Sequence, residues 1–226
     1  LADLLREPFP DEGTGLERLF EDIRERVIPN STTVAHPRFL AYVLGPPNGI
    51  GAFAEAIAAT LNQNCNFSQL SPAACAIERS VVGWLGSLFG YPSASGGLVL
   101  SGGSMAMTAA LYSAIHRACG PEYRRGGLRS LPYSLTVYVS EQVHNCVEKG
   151  AVMLGLGLDN VRRIPVDRSY RMRVDRLDRA IDEDLGQGRR PFCVVANAGT
   201  VSTGAIDPIE DIAALCREKG LWLHVD

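Results

Sequence analysis

Small and polar residues that suit a flat, anionic ligand follow several short apolar runs of this sequence. After the run LVLS, Gly102, Gly103 and Ser104 precede a helical pattern, which puts backbone N–H groups and a hydroxyl at the positive end of a helix. This arrangement suits a phosphate group, and a tight turn with Ser104 as the helix N-cap is the alternative interpretation. The segment has no G-K-[ST] motif, which excludes a Walker loop.

A histidine and a hydroxyl-rich turn follow two further apolar runs. His144 comes after LTVYVS, in the first turn of a predicted helix, where the helix dipole and unpaired N–H groups disfavour the charged imidazole. We therefore predict a neutral, flat ring that faces the cleft, and a histidine satisfied by the local backbone is the alternative. Thr200 belongs to a turn of small and hydroxyl residues after FCVVAN, which lets a flat ligand approach the backbone.

The last strand pattern, LWLHV, leads to two titratable groups on one face. His224 and Asp226 are two residues apart, so both side chains project to the same side of a strand. A carboxylate at the carboxyl end of a central strand is costly unless it meets a cation, and the N-cap of a following helix is the alternative role. The four histidines lack metal-binding spacing, so we predict no metal site, and no G-x-S-x-G motif supports a hydrolase.

The elements that position these residues alternate regularly from residue 97 onward. Short apolar runs are separated by helical patterns, and the runs are LVLS, LTVYVS, VRRIPV, FCVVAN and LWLHV. This alternation predicts an α/β fold with a mostly parallel sheet flanked by helices, whose ligands bind at the carboxyl ends of the strands. Asp207, Pro208 and Glu210 have the spacing of a helix N-cap, N1 and N3.

Helical patterns dominate the part of the chain before this alternation. Thr14 and Glu17 form a capping-box pattern, an Ala-rich helix is predicted from about Ala52 to Leu61, and Ser71 and Pro72 start a third helix. The first and third helices carry apolar stripes that we expect to be buried. The stripes are Leu16, Leu19, Phe20, Ile23 and Val27 in the first helix, and Ile77, Val81, Leu85 and Leu88 in the third.

Composition narrows the class of protein and its partners. The chain has 226 residues, 46% hydrophobic, and a net charge of −3, and no basic cluster is longer than an arginine pair, so we expect no nucleic-acid partner. No apolar run approaches the ~20 residues of a membrane span, and the N-terminus is too acidic for a signal peptide. The six cysteines form no CxxC pair, which is typical of reduced thiols. We therefore expect a cytoplasmic protein without a membrane partner.

Six blocks of the sequence, in this order, resemble the group II pyridoxal-phosphate-dependent amino-acid decarboxylases, which include the aromatic-amino-acid and glutamate decarboxylases. The blocks are HPRFLAY, SPAACAIERSVVGWLGSLFGYP, GGLVLSGGSMAMTAAL, VYVSEQVHNCVEKGAVMLG, PFCVVANAGTVSTGAIDPIEDIA and LWLHVD. The resemblance implies a large domain of the aspartate aminotransferase type and pyridoxal 5'-phosphate as the cofactor. It also implies a small-molecule L-amino-acid substrate, converted to the amine and CO2, and a homodimer.

The resemblance gives each candidate residue an expected role. Gly103 and Ser104 match the turn that holds the cofactor phosphate, and His144 matches the histidine that stacks on the pyridine ring. Asp226 matches the carboxylate that pairs with the ring nitrogen, where it holds a proton so that the ring absorbs the charge left by loss of CO2. His144 and Asp226 are therefore the expected catalytic residues. Two further expected residues of the cofactor site are Thr200 and His224.

Two departures from the family pattern limit what the resemblance implies. Met105 stands where many members have glutamate, and the loop AYVLGPPNGIG differs from that of the aromatic-amino-acid decarboxylases, so the substrate stays open. We expect residues 1–70 to be an N-terminal helical segment and residues 71–226 an incomplete cofactor domain, without the Schiff-base lysine region and the C-terminal small domain. Lys149 and Lys219 lie near predicted helix ends and do not replace that lysine. The alternatives to a decarboxylase are another pyridoxal-phosphate lyase, an aminotransferase and a non-catalytic fragment.

Overall fold

The computed structural model of the chain describes residues 11–121 and 123–226. The chain divides into two compact units, and the boundary lies between Gln63 and Asn64. The functional division into an N-terminal segment and a cofactor domain, with its boundary after residue 70, stays a prediction. Within the described ranges, no helix combines the length and the apolar character that crossing a membrane requires.

In residues 11–63, the described part of the first unit, there are two α-helices. Helix α1 (Leu16–Asp22) continues through a π-helical turn and a 3-10 turn, and α2 spans Gly49–Leu61. The predicted capping box is wrong, because the N-cap of α1 is Gly15 and makes no side-chain hydrogen bond. Helix α2 begins earlier than predicted because the Asn48 side chain accepts a hydrogen bond from the Ile50 N–H at 2.9 Å and so caps it.

The second unit contains six helices and four strands within its described residues. The helices are α3 (Pro72–Leu88), α4 (Gly103–Cys119), α5 (Tyr123–Gly126), α6 (Cys146–Met153), α7 (Val174–Gly186) and α8 (Ile209–Lys219). The strands are β1 (Leu135–Ser140), β2 (Val161–Ile164), β3 (Arg190–Ala196) and β4 (Trp222–Val225). These elements match the predicted alternation of apolar runs and helical patterns, with one exception described below.

The four strands form one parallel sheet in the order β2-β1-β3-β4. This architecture confirms the predicted α/β fold. The connection that leaves β1 leads to β2, whereas the connection that leaves β3 leads in the opposite direction to β4. The carboxyl ends of β1 and β3 therefore flank a topological switch point, which is where open α/β sheets bind ligands.

Each face of the sheet is covered by its own pair of helices. Side chains such as Val139 and Val195 face α4 and α6, and they belong to a core cluster with residues of both helices. The alternate side chains, such as Tyr138 and Val194, pack against α7 and α8 in a second cluster. Both clusters are almost free of solvent contact, so the sheet is a rigid base for the loops at its carboxyl edge.

The run LVLS is the exception, because it forms no strand. Leu98 and Val99 are 63% and 59% exposed, and the Val99 N–H donates to the Glu78 side chain at 2.9 Å instead of a neighbouring strand. The predicted N-cap role of Asp207 is also wrong. Helix α8 starts at Ile209, its N-cap is Pro208, and no side chain caps it.

The apolar stripes predicted to be buried in α1 and α3 are largely exposed within their own units. Phe20 of α1 is 65% exposed, and Ile77 and Leu88 of α3 are 63% and 81% exposed. In helix α2, Ile50 and Phe53 are likewise exposed, by 80% and 76%. Each unit thus exposes large apolar side chains on its helices.

Candidate functional site

The N-terminus of α4 forms one corner of the site. Gly102 has φ +154°, a backbone conformation that favours glycine, and its carbonyl accepts the N–H groups of Met105 and Ala106. Gly103 and Ser104 are the first two helical residues, so their N–H groups have no acceptor inside the helix. The first turn carries no acidic side chain, and Ser104 is exposed. The positive end of α4 is therefore open to an anion.

The N-terminus of α4 lies at the carboxyl edge of the sheet. Near its other end, Ala114 and Arg117 line a cavity of about 390 Å³ together with Arg190 and Trp222, which begin β3 and β4. The C-terminus of α4 is thus at the amino edge of the sheet, and the helix runs antiparallel to the strands. Helix α4 also packs closely on α6, since a Cβ placed on Gly150 would lie 3.3 Å from side-chain atoms of Thr108 and Leu111.

His144 forms the second corner, in the connection from β1 to α6. It lies two residues before α6, so the prediction that it belongs to the first helical turn is wrong. Its Nδ1 accepts a hydrogen bond from the Cys146 N–H at 3.2 Å, which places the proton of the neutral ring on Nε2. The imidazole is exposed and bonds to the local backbone, as the alternative interpretation predicts, and the orientation of the ring toward the cleft stays a prediction.

The connection that carries His144 is held by short-range hydrogen bonds. The Ser140 hydroxyl accepts the Gln142 N–H at 3.1 Å, and the Ser140 carbonyl accepts the Val143 N–H at 3.0 Å. The Glu141 N–H donates to the carbonyl of Ile164 at 3.1 Å, which ties the connection to the end of β2. These bonds fix the backbone from which the imidazole projects.

Asp226 forms the third corner, where its backbone extends the pairing of β3 with β4. Its N–H donates to the Ala196 carbonyl at 2.8 Å, and its own carbonyl accepts the Ala198 N–H at 2.7 Å. His224 pairs in register with Val195, which faces α4 and α6, so His224 and Asp226 project to that same face. The prediction that the two share a face is confirmed.

The charge of Asp226 acts on groups at two places around this corner. Burial is the main cause that raises the pKa of the Cys146 thiol at the start of α6, and the Asp226 carboxylate raises it further. Burial also lowers the pKa of His224, against the opposing effect of Asp226. The Asp226 carboxylate therefore has an electrostatic effect on the start of α6 and on β4. It is also exposed, so a ligand can reach it.

Thr200 lies in the connection from β3 to α8 and is 6% exposed. Its hydroxyl lies 2.7 Å from the Thr203 hydroxyl and accepts the Ala205 N–H at 3.2 Å, so it already stabilises its own loop. The expected contact between Thr200 and the cofactor stays a prediction.

Sequence reasoning missed two groups that organise this edge. The Cys146 N–H orients His144, and the Asp207 carboxylate holds the start of the loop that carries Thr200. No local sequence signal indicates either contact, since one involves a backbone amide and the other joins distant segments. Among the described residues, no group of three or more His, Cys, Asp or Glu is arranged to hold a metal ion.

Comparison with known proteins assigns the chain to a family. Residues 1–226 match the model of the pyridoxal-dependent decarboxylase conserved domain. The chain is 35% identical to the aromatic-L-amino-acid decarboxylase of Bacillus atrophaeus, over 100% of the chain and 45% of that protein. It is 33% identical to the human cysteine sulfinic acid decarboxylase, over 100% of the chain and 45% of that protein. The chain therefore spans about half the length of the relatives that it matches.

Solved structures give the same result for the fold. A crystal structure of mouse CSAD matches with a TM-score of 0.92 at 32% identity, over 99% of the chain and 47% of that protein. A crystal structure of Oryza sativa TDC with PLP and tryptamine matches with a TM-score of 0.89 at 29% identity, over 100% of the chain and 48% of that protein.

Proposed function

The chain belongs to the pyridoxal-dependent decarboxylase family, and we propose that the full-length protein converts an L-amino acid to its amine and CO2 with pyridoxal phosphate as cofactor. The observation that carries the proposal is the position of Asp226. Its backbone pairs with β3 two residues after His224, so its carboxylate projects to the face of the sheet that α4 and α6 cover. An anion site, a flat neutral ring and a carboxylate at one sheet edge fit the three parts of this cofactor.

The phosphate of the cofactor fits the N-terminus of α4. The N–H groups of Gly103 and Ser104 and the Ser104 hydroxyl supply donors without a competing carboxylate in the first turn. Gly102 supplies the glycine-type backbone that starts the helix at this point. The residues of this corner would therefore hold the anion through backbone donors and helix charge, without a lysine.

Asp226 and His144 would act on the ring of the cofactor. When bound, pyridoxal phosphate supplies the electron sink that accepts the electron pair freed by cleavage of the Cα–CO2 bond. Asp226 would hold a proton at the ring nitrogen, because a carboxylate accepts a charge-assisted hydrogen bond from a protonated nitrogen. His144 would cover one face of the ring with a neutral imidazole, whose orientation the Cys146 N–H fixes.

The exposed apolar faces support the further proposal of a homodimer, as in the family that the sequence resembles. Ile50 and Phe53 of α2, with Phe20 of α1, present apolar surface in the first unit, and Ile77 and Leu88 of α3 do so in the second. We also propose that the protein is cytoplasmic. All six cysteines are free thiols, which supports a reducing compartment.

The test uses the full-length protein, purified without added cofactor, and measures its visible absorption, CO2 release and products. Suitable substrates are the amino acids in the relatives' names: tryptophan, cysteine sulfinate, 2,4-diaminobutyrate, aspartate and glutamate. We expect bound cofactor and an amine product from at least one. Keto-acid products without CO2 would instead identify an aminotransferase, and a protein that takes up no cofactor would contradict the whole proposal.

An isosteric pair of variants tests the role of Asp226. We expect Asp226→Asn to lower kcat by about 10²- to 10³-fold, the range for loss of one preorganised electrostatic contact. Asp175→Asn is the matched control, because it removes an exposed carboxylate on α7, across the sheet from the site. Equal activities of the two variants would show that Asp226 does not contact the reacting system.

A further inference from the structure

Asp207 is a buried carboxylate whose hydrogen bonds within residues 11–121 and 123–226 all come from uncharged N–H groups. The residue is 3% exposed. Its Oδ1 accepts the Met172 N–H at 2.7 Å, and its Oδ2 accepts both the backbone N–H and the side-chain Nδ2 of Asn197 at 2.8 Å. A buried charge held by several such donors is stable only while they all stay in place, so the carboxylate fixes the backbone around it.

The three bonds join the connection that follows β2 to the connection that follows β3. Met172 belongs to the connection after β2, where it forms an isolated bridge with Val166. Asn197 directly follows β3, and its carbonyl accepts the Asp207 N–H at 2.9 Å. A bridge between Ala198 and Ile206 then closes the loop. Asp207 thus locks both ends of the connection from β3 to α8.

Asn197 lies between the two residues that hold the backbone of Asp226. Ala196 accepts the Asp226 N–H at 2.8 Å, and the Ala198 N–H donates to the Asp226 carbonyl at 2.7 Å. A displacement of Asn197 would therefore move both hydrogen bonds that align Asp226 with β3. The path from one carboxylate to the other consists of Asp207, Asn197 and the paired backbone of Asp226.

We propose that Asp207 is a positioning residue, which acts through Asn197 to set the position of the Asp226 carboxylate. This inference rests on the proposed function, because it gives Asp226 its role at the cofactor ring. Asp207 itself is buried behind the loop and does not touch the reacting atoms. A purely structural role for Asp207 predicts a general loss of stability, whereas positioning predicts a defect that depends on Asp226.

The first experiment is a double-mutant cycle for kcat in the full-length enzyme. In Asp207→Asn, an NH2 group replaces one of the two acceptor oxygens and faces an N–H donor. We expect kcat to fall by about tenfold to a hundredfold, the effect of a misplaced catalytic group, with little change in KM. In the Asp226→Asn background, we expect Asp207→Asn to lower kcat no further. Asp211→Asn is the control, since it removes an exposed carboxylate from the same helix start.

The second experiment needs no cofactor and measures amide hydrogen exchange in the apo full-length protein. We expect Asp207→Asn to speed exchange in peptides that contain Ala198 and Asp226, and to leave peptides of α7 unchanged. This arm also separates the two proposals: an enzyme that binds no cofactor disproves the function, while its exchange pattern still tests the positioning. Unchanged exchange, or the same fold-loss of kcat in both backgrounds, overturns the inference.

Asn197→Ala serves if Asp207→Asn does not fold. This variant removes only the Nδ2 bond and leaves both backbone N–H groups on the carboxylate. We expect the same dependence on Asp226 with a smaller loss of kcat. An Asn197→Ala enzyme with wild-type kcat and wild-type exchange at Ala198 overturns the inference equally.

Discussion

The buried carboxylate of Asp184 on α7 gives a stability prediction whose size follows from its contacts. Asp184 is 1% exposed and accepts a hydrogen bond from the Tyr138 hydroxyl at 2.7 Å. The Arg162 guanidinium donates to the same carboxylate. The Tyr138 hydroxyl also lies 3.1 Å from that of Thr136, and both residues are fully buried. Water therefore does not replace a contact that is lost here.

We expect Tyr138→Phe to lower the free energy of unfolding of the full-length protein by about 1.5–3 kcal/mol, the range for a hydrogen bond to a charged group. The phenyl ring keeps the apolar packing against α7 and α8, so the loss reports the hydroxyl alone. Tyr170→Phe is the matched control because Tyr170 is 51% exposed, and we expect a change within about 0.5 kcal/mol. Urea-induced unfolding with equal m-values measures both.

The same network gives this loss a pH dependence. Burial raises the pKa of Asp184, but the hydrogen bonds from Arg162 and Tyr138 outweigh it and leave the pKa below its ordinary value. A carboxylate of this kind stabilises the native state above its unfolded pKa of about 3.9 and loses the effect as the pH falls through the lower folded pKa. The difference between wild type and Tyr138→Phe is thus expected to be full at neutral pH and to shrink in acid. A variant as stable as wild type, or a difference that grows in acid, would refute the reasoning.

Two further predictions concern the site. Gly102→Ala is expected to weaken cofactor binding, because φ +154° strains an L-residue at the start of α4. The control is Gly96→Ala, because Gly96 has open space around it and no such φ. We expect this control to leave the cofactor Kd unchanged in an absorbance titration. Burial lowers the pKa of His224, so the unfolded chain takes up the proton first, and stability is expected to fall as the pH drops through about 6.5. NMR titration of His224 checks the direction of the shift, and a His224→Gln variant that keeps the same pH dependence of stability would contradict its cause.

Strands β1 and β3 could be predicted because their apolar runs are long and buried on both faces. The run LTVYVS coincides with β1, all of whose residues are buried, and FCVVA falls within β3. Continuous apolar runs of this length are typical of parallel strands covered by helices on both sides. The run LVLS has the same composition but bonds to Glu78, since composition does not say which neighbour supplies hydrogen-bond partners.

The candidate site could be predicted in part, because it depends on a general property of parallel sheets. Polar residues that follow successive strands meet at one edge, so His144 and Asp226 could be selected from their places after apolar runs. The role of Asp207 could not be predicted. Its spacing before α8 fits a local N-cap, but its carboxylate bonds to Met172, 35 residues away in the chain. A local pattern indicates a cap and contains no information about a partner that only the fold brings near.

The register between β3 and β4 decides whether the three corners form one site. Val195 pairs with His224, and Val195 faces α4 and α6, so Asp226 also projects to the face where His144 and the N-terminus of α4 lie. A shift of one residue would turn Asp226 toward α7 and α8 and put Val225 in its place, because successive side chains of a strand alternate between faces. The hydrogen bonds of the Asp226 backbone to β3 prevent that shift at the position where the side chain is needed. The buried carboxylate of Asp207, which holds the same stretch of β3 from its other side, is therefore part of what assembles the site.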